Sequence, residues 1–268
     1  MSDEPKGAFA RKACAWPPRP PKPEHVRLIG PEELRSWILH EDDAVVVLNK
    51  PGDVVCHPSK AGPWSSLVGA VRKRLGLTNV HLVFRLDRET SGVVVVAKTP
   101  AAASRLQKAI QQRRVGKVYQ AILTGELSEP VTVNQPLGDD TASPVYVKTT
   151  VRPDGASAVT HFTPLVSAEG FTLARVVTET GRKHQIRAHA HWLGRSLVGD
   201  KIYGPDDRLY LDFIDGGWTP ALAEKLLLPR QALHCAEIDF RSAGADRVYV
   251  APLAADLHAF AVSRGLIA

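Results

Sequence analysis

The sequence predicts an α+β fold: a mixed, largely antiparallel β-sheet with helices flanking it. Three observations lead there. Short valine-rich apolar runs alternate with segments of helical periodicity, so both element types are present. Their order is not the strict strand–helix alternation that winds a parallel sheet. The chain has 268 residues, 44% hydrophobic and 23% charged, which is enough for a sizeable core with an ordinary globular composition.

Residues 1–25 come first, with six prolines and five basic residues. Proline there blocks helix and central strand alike, so a flexible basic arm is expected, with 26–268 as the folded part. PEELRSWILH (31–40) reads as a short helix opened by Pro31. AVVVLNKPG (44–52) reads as a buried strand ending in a turn. SSLVGAVRKRLG (65–76) reads as a helix capped by serine and closed by Gly76. GVVVVAKT (92–99) is a continuous β-branched run, the pattern of a fully buried strand. TPAAASRLQKAIQQRRV (99–115) is a helix with Thr99 as N-cap and Pro100 in the first position. KVYQAILTGEL (117–127) alternates as a strand, and further strands are expected over 144–151, 157–166 and 171–179. GRKHQIRAHAHWLG (181–194) reads as a helix closing at Gly194. Residues 205–230 read as a loop with one short helix, TPALAEKLLL. QALHCAEIDF (231–240) and RVYVAPL (247–253) are late strands, and a terminal helix starts near Ala254.

Composition bounds the function. A net charge of +6 and a pI near 9.3 favour anionic partners, nucleic acid first. No apolar run approaches the roughly 20 residues of a membrane span. The N-terminus lacks the apolar core of a signal peptide. Three scattered cysteines, Cys14, Cys56 and Cys235, make neither a disulfide framework nor a CxxC knuckle, which fits free thiols in the cytoplasm. No phosphate loop, no GxGxxG turn and no HExxH pattern occurs, so neither cofactor nor metal is expected, and His184, His189 and His191 do not form a metal motif. Basic residues cluster at 72–74 and again at Arg105, Lys108, Arg113, Arg114 and Lys117, a pattern that suits a phosphate track or a solvated face.

The chemistry-bearing stretch is RLDRETSG, residues 85–92. Asp87 stands just before a turn signature and at the mouth of a buried strand. A carboxylate there is costly unless paired. An arginine partner would keep it ionised and aimed, as a nucleophile or base requires. Arg85 and Arg88 are near in sequence, and arginines elsewhere could reach it. On these residues alone a turn cap or a structural ion pair remains open.

RLDRETSG resembles the HRLDxxTSG signature of the RluA family of RNA pseudouridine synthases. NKPGDVVCHP (49–58), GKVYQAILTGEL, GRKHQIRAHAHWLG with GDKIYG (199–204), and LHC (233–235) resemble further blocks of that family, in family order, over residues 44–253. Phe84 stands where the family often has histidine, Asp53 where a turn glycine is usual, and Cys235 where alanine is usual.

The resemblance implies a pseudouridine synthase-like catalytic domain over 26–268 with a central RNA-binding cleft and no S4-like domain. It implies isomerisation of a uridine in ribosomal or transfer RNA by base flipping, without cofactor. Asp87 would be the catalytic carboxylate, Tyr119 the tyrosine against the uracil, and Arg187 the partner of the aspartate. Arg85 would fill the space left by the flipped base. From the residues themselves, His184 is expected as a hydrogen-bonding side chain of the active-site helix, and Arg182 and Arg88 as further substrate-binding residues. A monomer without required protein partners is expected. The alternative is a non-catalytic RNA-binding or RNA-folding protein on the same fold.

Overall fold

Pro31 opens helix α1 (Pro31–Ser36), and the Glu33 side chain turns back to accept from the Gly30 amide. The helix stops earlier than its pattern suggests. Ile38 and His40 belong instead to strand β1 (Ile38–Glu41), paired antiparallel with β2 (Val45–Lys50). A ladder to a buried neighbour outweighs helix propensities that differ by under about 1 kcal/mol per residue. The computed structural model describes residues 27–57, 62–243 and 247–268; the expected arm at 1–25 lies outside them.

Helix α2 (Leu67–Leu75) has Ser66 accepting from the Gly69 amide, and Gly76 ends it with φ 64°. A two-residue β3 (His81–Leu82) leads to β4 (Ser91–Ala97), buried at every position. Each valine there contributes roughly 1.5–3 kcal/mol by leaving water. Helix α3 (Pro100–Gln111) is capped by Thr99, and β5 (Gly116–Thr124) follows.

The middle of the chain departs more from expectation. Two short strands, β6 (Val131–Asn134) and β7 (Leu137–Asp139), appear where none was read. The strand expected over 144–151 is only β8 (Thr149–Val151). Lys148 turns to Asp207 at 3.0 Å and Asp140 at 3.7 Å, and these ion pairs hold the preceding residues as a loop. Strands β9 (Val159–Ala168) and β10 (Phe171–Thr178) form as read. Helix α4 (Gln185–Trp192) starts four residues late, because residues 181–184 form a turn that leaves His184 left-handed at φ 54°. Region 205–230 holds two helices, α5 (Arg208–Gly216) and α6 (Pro220–Leu226), and α5 buries Leu209 against Leu222 and Leu226 of α6. Strands β11 (Leu233–Asp239) and β12 (Val248–Val250) and helix α7 (Ala255–Ser263) complete the elements.

Ten strands form one sheet in the order β1-β2-β4-β11-β5-β10-β9-β6, with β3 added to β4 and β12 added to β11. Among the described residues, β4 and β11 make its one parallel pair. They touch only at Ser91–His234 and Gly92–Cys235, then diverge, and β3 and β12 fill the fork. Gly92 makes the close approach possible. It has φ 111°, and a Cβ there would lie 2.2 Å from the Cys235 carbonyl oxygen.

Candidate active site

Asp87 lies four residues before the start of β4, in the turn that feeds the parallel pair. Its carbonyl accepts from the Thr90 amide at 3.2 Å, and the Gln231 side chain bonds Thr90 Oγ1 at 2.8 Å from the approach to β11. Two basic side chains tie this turn to its surroundings. The buried Lys50 ammonium donates to the carbonyls of Pro51, Val54 and Arg88 at 2.7, 2.9 and 3.0 Å. Arg230 donates to the Glu89 carbonyl at 3.0 Å and to Asp256 of α7 at 2.6 and 2.7 Å. Gly52 leaves room for it, since a Cβ there would meet the Arg230 Cδ at 2.4 Å.

Arg187, on the first turn of α4, reaches Asp87. Its Nη1 donates to Asp87 Oδ2 at 3.1 Å. Its other face is held by Asp200, which accepts from Nε at 2.7 Å and Nη2 at 2.8 Å. Asp200 is wholly buried and also accepts from the amides of Ile202 and Tyr203, at 3.0 and 3.1 Å. The Tyr203 ring packs 5.0 Å from the guanidinium, and its hydroxyl lies 3.1 Å from His184 Nδ1. His184 Nε2 stands 3.8 Å from Asp87 Oδ2.

These contacts set the charges. Burial alone would raise the Asp87 carboxyl, but the Arg187 charge, with hydrogen bonds from Arg187 and Gln231, holds it below the usual carboxylate range. Burial and the neighbouring Arg187 push His184 down to about 4, against the pull of Asp87. At neutral pH His184 is therefore uncharged, and Arg187 supplies the positive charge beside Asp87. Arg187 engages only one carboxylate oxygen, and the Asp87 side chain is 30% exposed. The arrangement can present an ionised, oriented carboxylate to a reacting carbon.

Two cavities meet at this group, and Asp87, Arg187, His184 and Arg85 line both. The smaller, about 90 Å³, reaches Tyr119, Lys117 and Arg182. The larger, about 430 Å³, reaches Arg88 and helix α5. Every residue singled out in the sequence for the site thus borders one cavity or the other. Arg182 donates to the Ser157 carbonyl at 3.0 Å and Arg88 to the Asp53 carbonyl at 3.3 Å. Tyr119 of β5 pairs with Cys235 of β11, and burial beside that thiol raises its hydroxyl well above the ordinary tyrosine value. His189 and His191 turn elsewhere, His189 to Thr160 and the Gln135 carbonyl and His191 to the Tyr203 carbonyl. In the basic runs, Arg74 is paired with Glu41 at 2.9 Å and Arg114 donates to the Ser242 carbonyl at 3.2 Å.

Sequence reasoning passed over Asp200, Tyr203, Lys50, Gln231 and Arg230 as individuals. The first three stand in GDKIYG and NKPG, blocks that were visible. The signal available was an acidic residue within an apolar turn and a lysine ending a buried strand.

The family described as RNA pseudouridylate synthase matches residues 44–192, more than half of the chain. Ribosomal large subunit pseudouridine synthase D of Vibrio parahaemolyticus is 34% identical over 233 residues, covering 84% of this chain and 70% of the relative. The protein of that name from Pseudomonas aeruginosa is 33% identical over 237 residues, with the same coverage. Among solved structures, human RNA pseudouridylate synthase domain containing 4 superposes with a TM-score of 0.66 at 24% identity, over 87% of this chain and 94% of that one. Human RNA pseudouridylate synthase domain containing 1 gives 0.64 at 23% identity, over 86% of each chain. These two support the fold.

Proposed function

The chain belongs to the RNA pseudouridylate synthase family, in its RluA branch, and is an RNA-modifying isomerase; from that premise we propose that it converts a uridine of large-subunit ribosomal RNA at a site centred on Asp87. The choice of RNA rests on the names of its relatives, which act on the large ribosomal subunit. The observation that carries the assignment to Asp87 is its one-oxygen contact with Arg187, itself locked by Asp200.

The reaction breaks the C1′–N1 bond, turns the uracil, joins C1′ to C5, loses the C5 proton and leaves a proton on N1, with no net oxidation. Asp87 serves either as the nucleophile at C1′ or as the base that takes the C2′ proton. Both routes need a carboxylate that is ionised at neutral pH and not fully engaged. C1′ and the far edge of uracil are out of reach in a stacked helix, so the target is extruded at a cost of a few kcal/mol. The smaller cavity receives the ring against Tyr119, and Arg85, exposed at its mouth, occupies the gap in the RNA. Arg182 and Arg88 meet backbone phosphate.

The test is tritium release from C5-labelled RNA taken from cells lacking this protein. Wild type releases tritium, and Asp87→Ala lowers the rate by at least about a thousand-fold, the scale on which losing a catalytic nucleophile is felt. Bound RNA without release from folded wild type would favour the RNA-binding reading instead. Mapping the modified position separates ribosomal from transfer RNA. A primary isotope effect from deuterium at C2′ would mark the proton-removal route.

A further inference from the structure

One extruded uracil needs one pocket, and the reading above assigns it the cavity beside Tyr119. The larger cavity of about 430 Å³ is left without an occupant. Its volume lies in the roughly 300–1,000 Å³ range of built small-molecule sites. Its far wall is apolar, made by Tyr210, Phe213 and Ile214 of α5 with Val147, Ile202 and Pro229. Ile214 is 47% exposed and Val147 39%, so these apolar side chains face solvent rather than core. The opposite rim carries Arg85 and Arg88, and among the described residues neither pairs with a carboxylate.

The floor is built as well. Lys201 is 2% exposed, bonded to Glu89 at 2.7 Å and set 4.5 Å from the centre of the Phe213 ring. That contact fixes the aromatic wall against the turn that carries Asp87. With Arg85 committed to the gap in the RNA, an aromatic and aliphatic wall facing Arg88 suits an unpaired nucleotide, its ring on the wall and its phosphate on that guanidinium. Four residues line both cavities, so the occupant sits beside the target uridine.

We propose that the cavity between α5 and the Asp87 turn is a second nucleobase site, which takes an unpaired base neighbouring the target uridine in the same RNA strand. The proposal rests on the reading that the target enters beside Tyr119. Occupancy of the second site offsets part of the cost of extrusion and makes a neighbouring nucleotide part of what is recognised.

The test compares full-length wild type, Ile214→Ala and Phe213→Ala in tritium release against concentration of C5-labelled ribosomal RNA. Phe213 also packs toward α6, so Ile214→Ala is the variant that leaves the fold undisturbed, and thermal melting checks both. KM is expected to rise five-fold or more in each, with kcat within two-fold of wild type. A stem-loop carrying the mapped uridine is then made abasic at each neighbouring position. One of these substrates should raise KM for wild type and add nothing further for Ile214→Ala. Wild-type KM in folded Ile214→Ala, or an abasic cost equal in both proteins, overturns the second site and leaves the isomerase reading standing. Absence of release by wild type overturns the isomerase assignment, and the second site with it.

Discussion

Arg187 is shared by two carboxylates on unequal terms. Asp200 takes two of its nitrogens in a dry interior, while Asp87 takes one at the edge of the cavities. The buried guanidinium is thus neutralised by Asp200, and Asp87 is free to spend its charge elsewhere. Substitution at the two aspartates should separate accordingly. Asp87→Asn should abolish tritium release while changing stability within about 1 kcal/mol, since Arg187 keeps its main partner. Asp200→Asn should cost about 3–5 kcal/mol, read as a lower urea midpoint, because it leaves a buried cation with half its pairing. Equal stability losses in the two variants would contradict this division of labour.

The parallel contact between β4 and β11 delivers two parts of the site to one place. Asp87 precedes β4 and Gln231 precedes β11, and the strands meet at only two residue pairs. Gly92 is the point where this contact is tightest. Gly92→Ala would carry a side chain at φ 111° and drive its Cβ into the Cys235 carbonyl. A destabilisation of about 3 kcal/mol or more is expected from strain and overpacking together. Whatever protein remains folded should also show a lower kcat, since the Asp87 turn is displaced with the strand; unchanged kcat per folded molecule would separate the strand contact from the site. Helix α5 is the contrasting element. Pro205 before it and Gly216 and Gly217 at its end read locally as loop, yet the segment is helical and packs Leu209 and Phe213 against Leu222 and Leu226 of α6.

At the scale of the whole molecule, buried imidazoles contribute to acid stability, and His184 and His234 do so most measurably. Burial holds both His184 and His234 near 4, against 6.5 for the free side chain. His184 faces Asp87, Arg187, Asp200, Lys183 and Tyr203, and His234 faces Ser91, Arg230, Asp256 and the Ala251 carbonyl. Below pH 6.5 the unfolded chain binds protons that the folded chain refuses, so stability falls as pH falls toward 4. Going from pH 7 to pH 5 should remove about 2 kcal/mol for each imidazole. Asp87 acts in a lower window: its depressed carboxyl adds stability above its unfolded value and loses it only at more acid pH. Urea titrations at pH 7 and pH 5 check the sign, and His234→Asn should remove its share of the slope. A flat response would mean that both rings keep access to protons in the folded state.

What the sequence determined by itself is what short-range order encodes. Valine runs mark β2 and β4, Ser66 and Thr99 cap α2 and α3, and RLDRETSG, GKVYQ and GRKHQIR stand out as blocks with the spacing of one family. Each depends on neighbours a few residues apart. The residues around Asp87 left its cation open and only the family resemblance named Arg187; tertiary structure makes that contact, across one hundred residues, and not one with Arg85 or Arg88 beside it. It also decided that Asp200 anchors that arginine, that His184 precedes α4 in a left-handed turn, and that α5 walls a second cavity. Those outcomes turn on burial and on the approach of distant segments, and a charged side chain's partner is chosen by desolvation in the folded chain rather than by its place in the sequence.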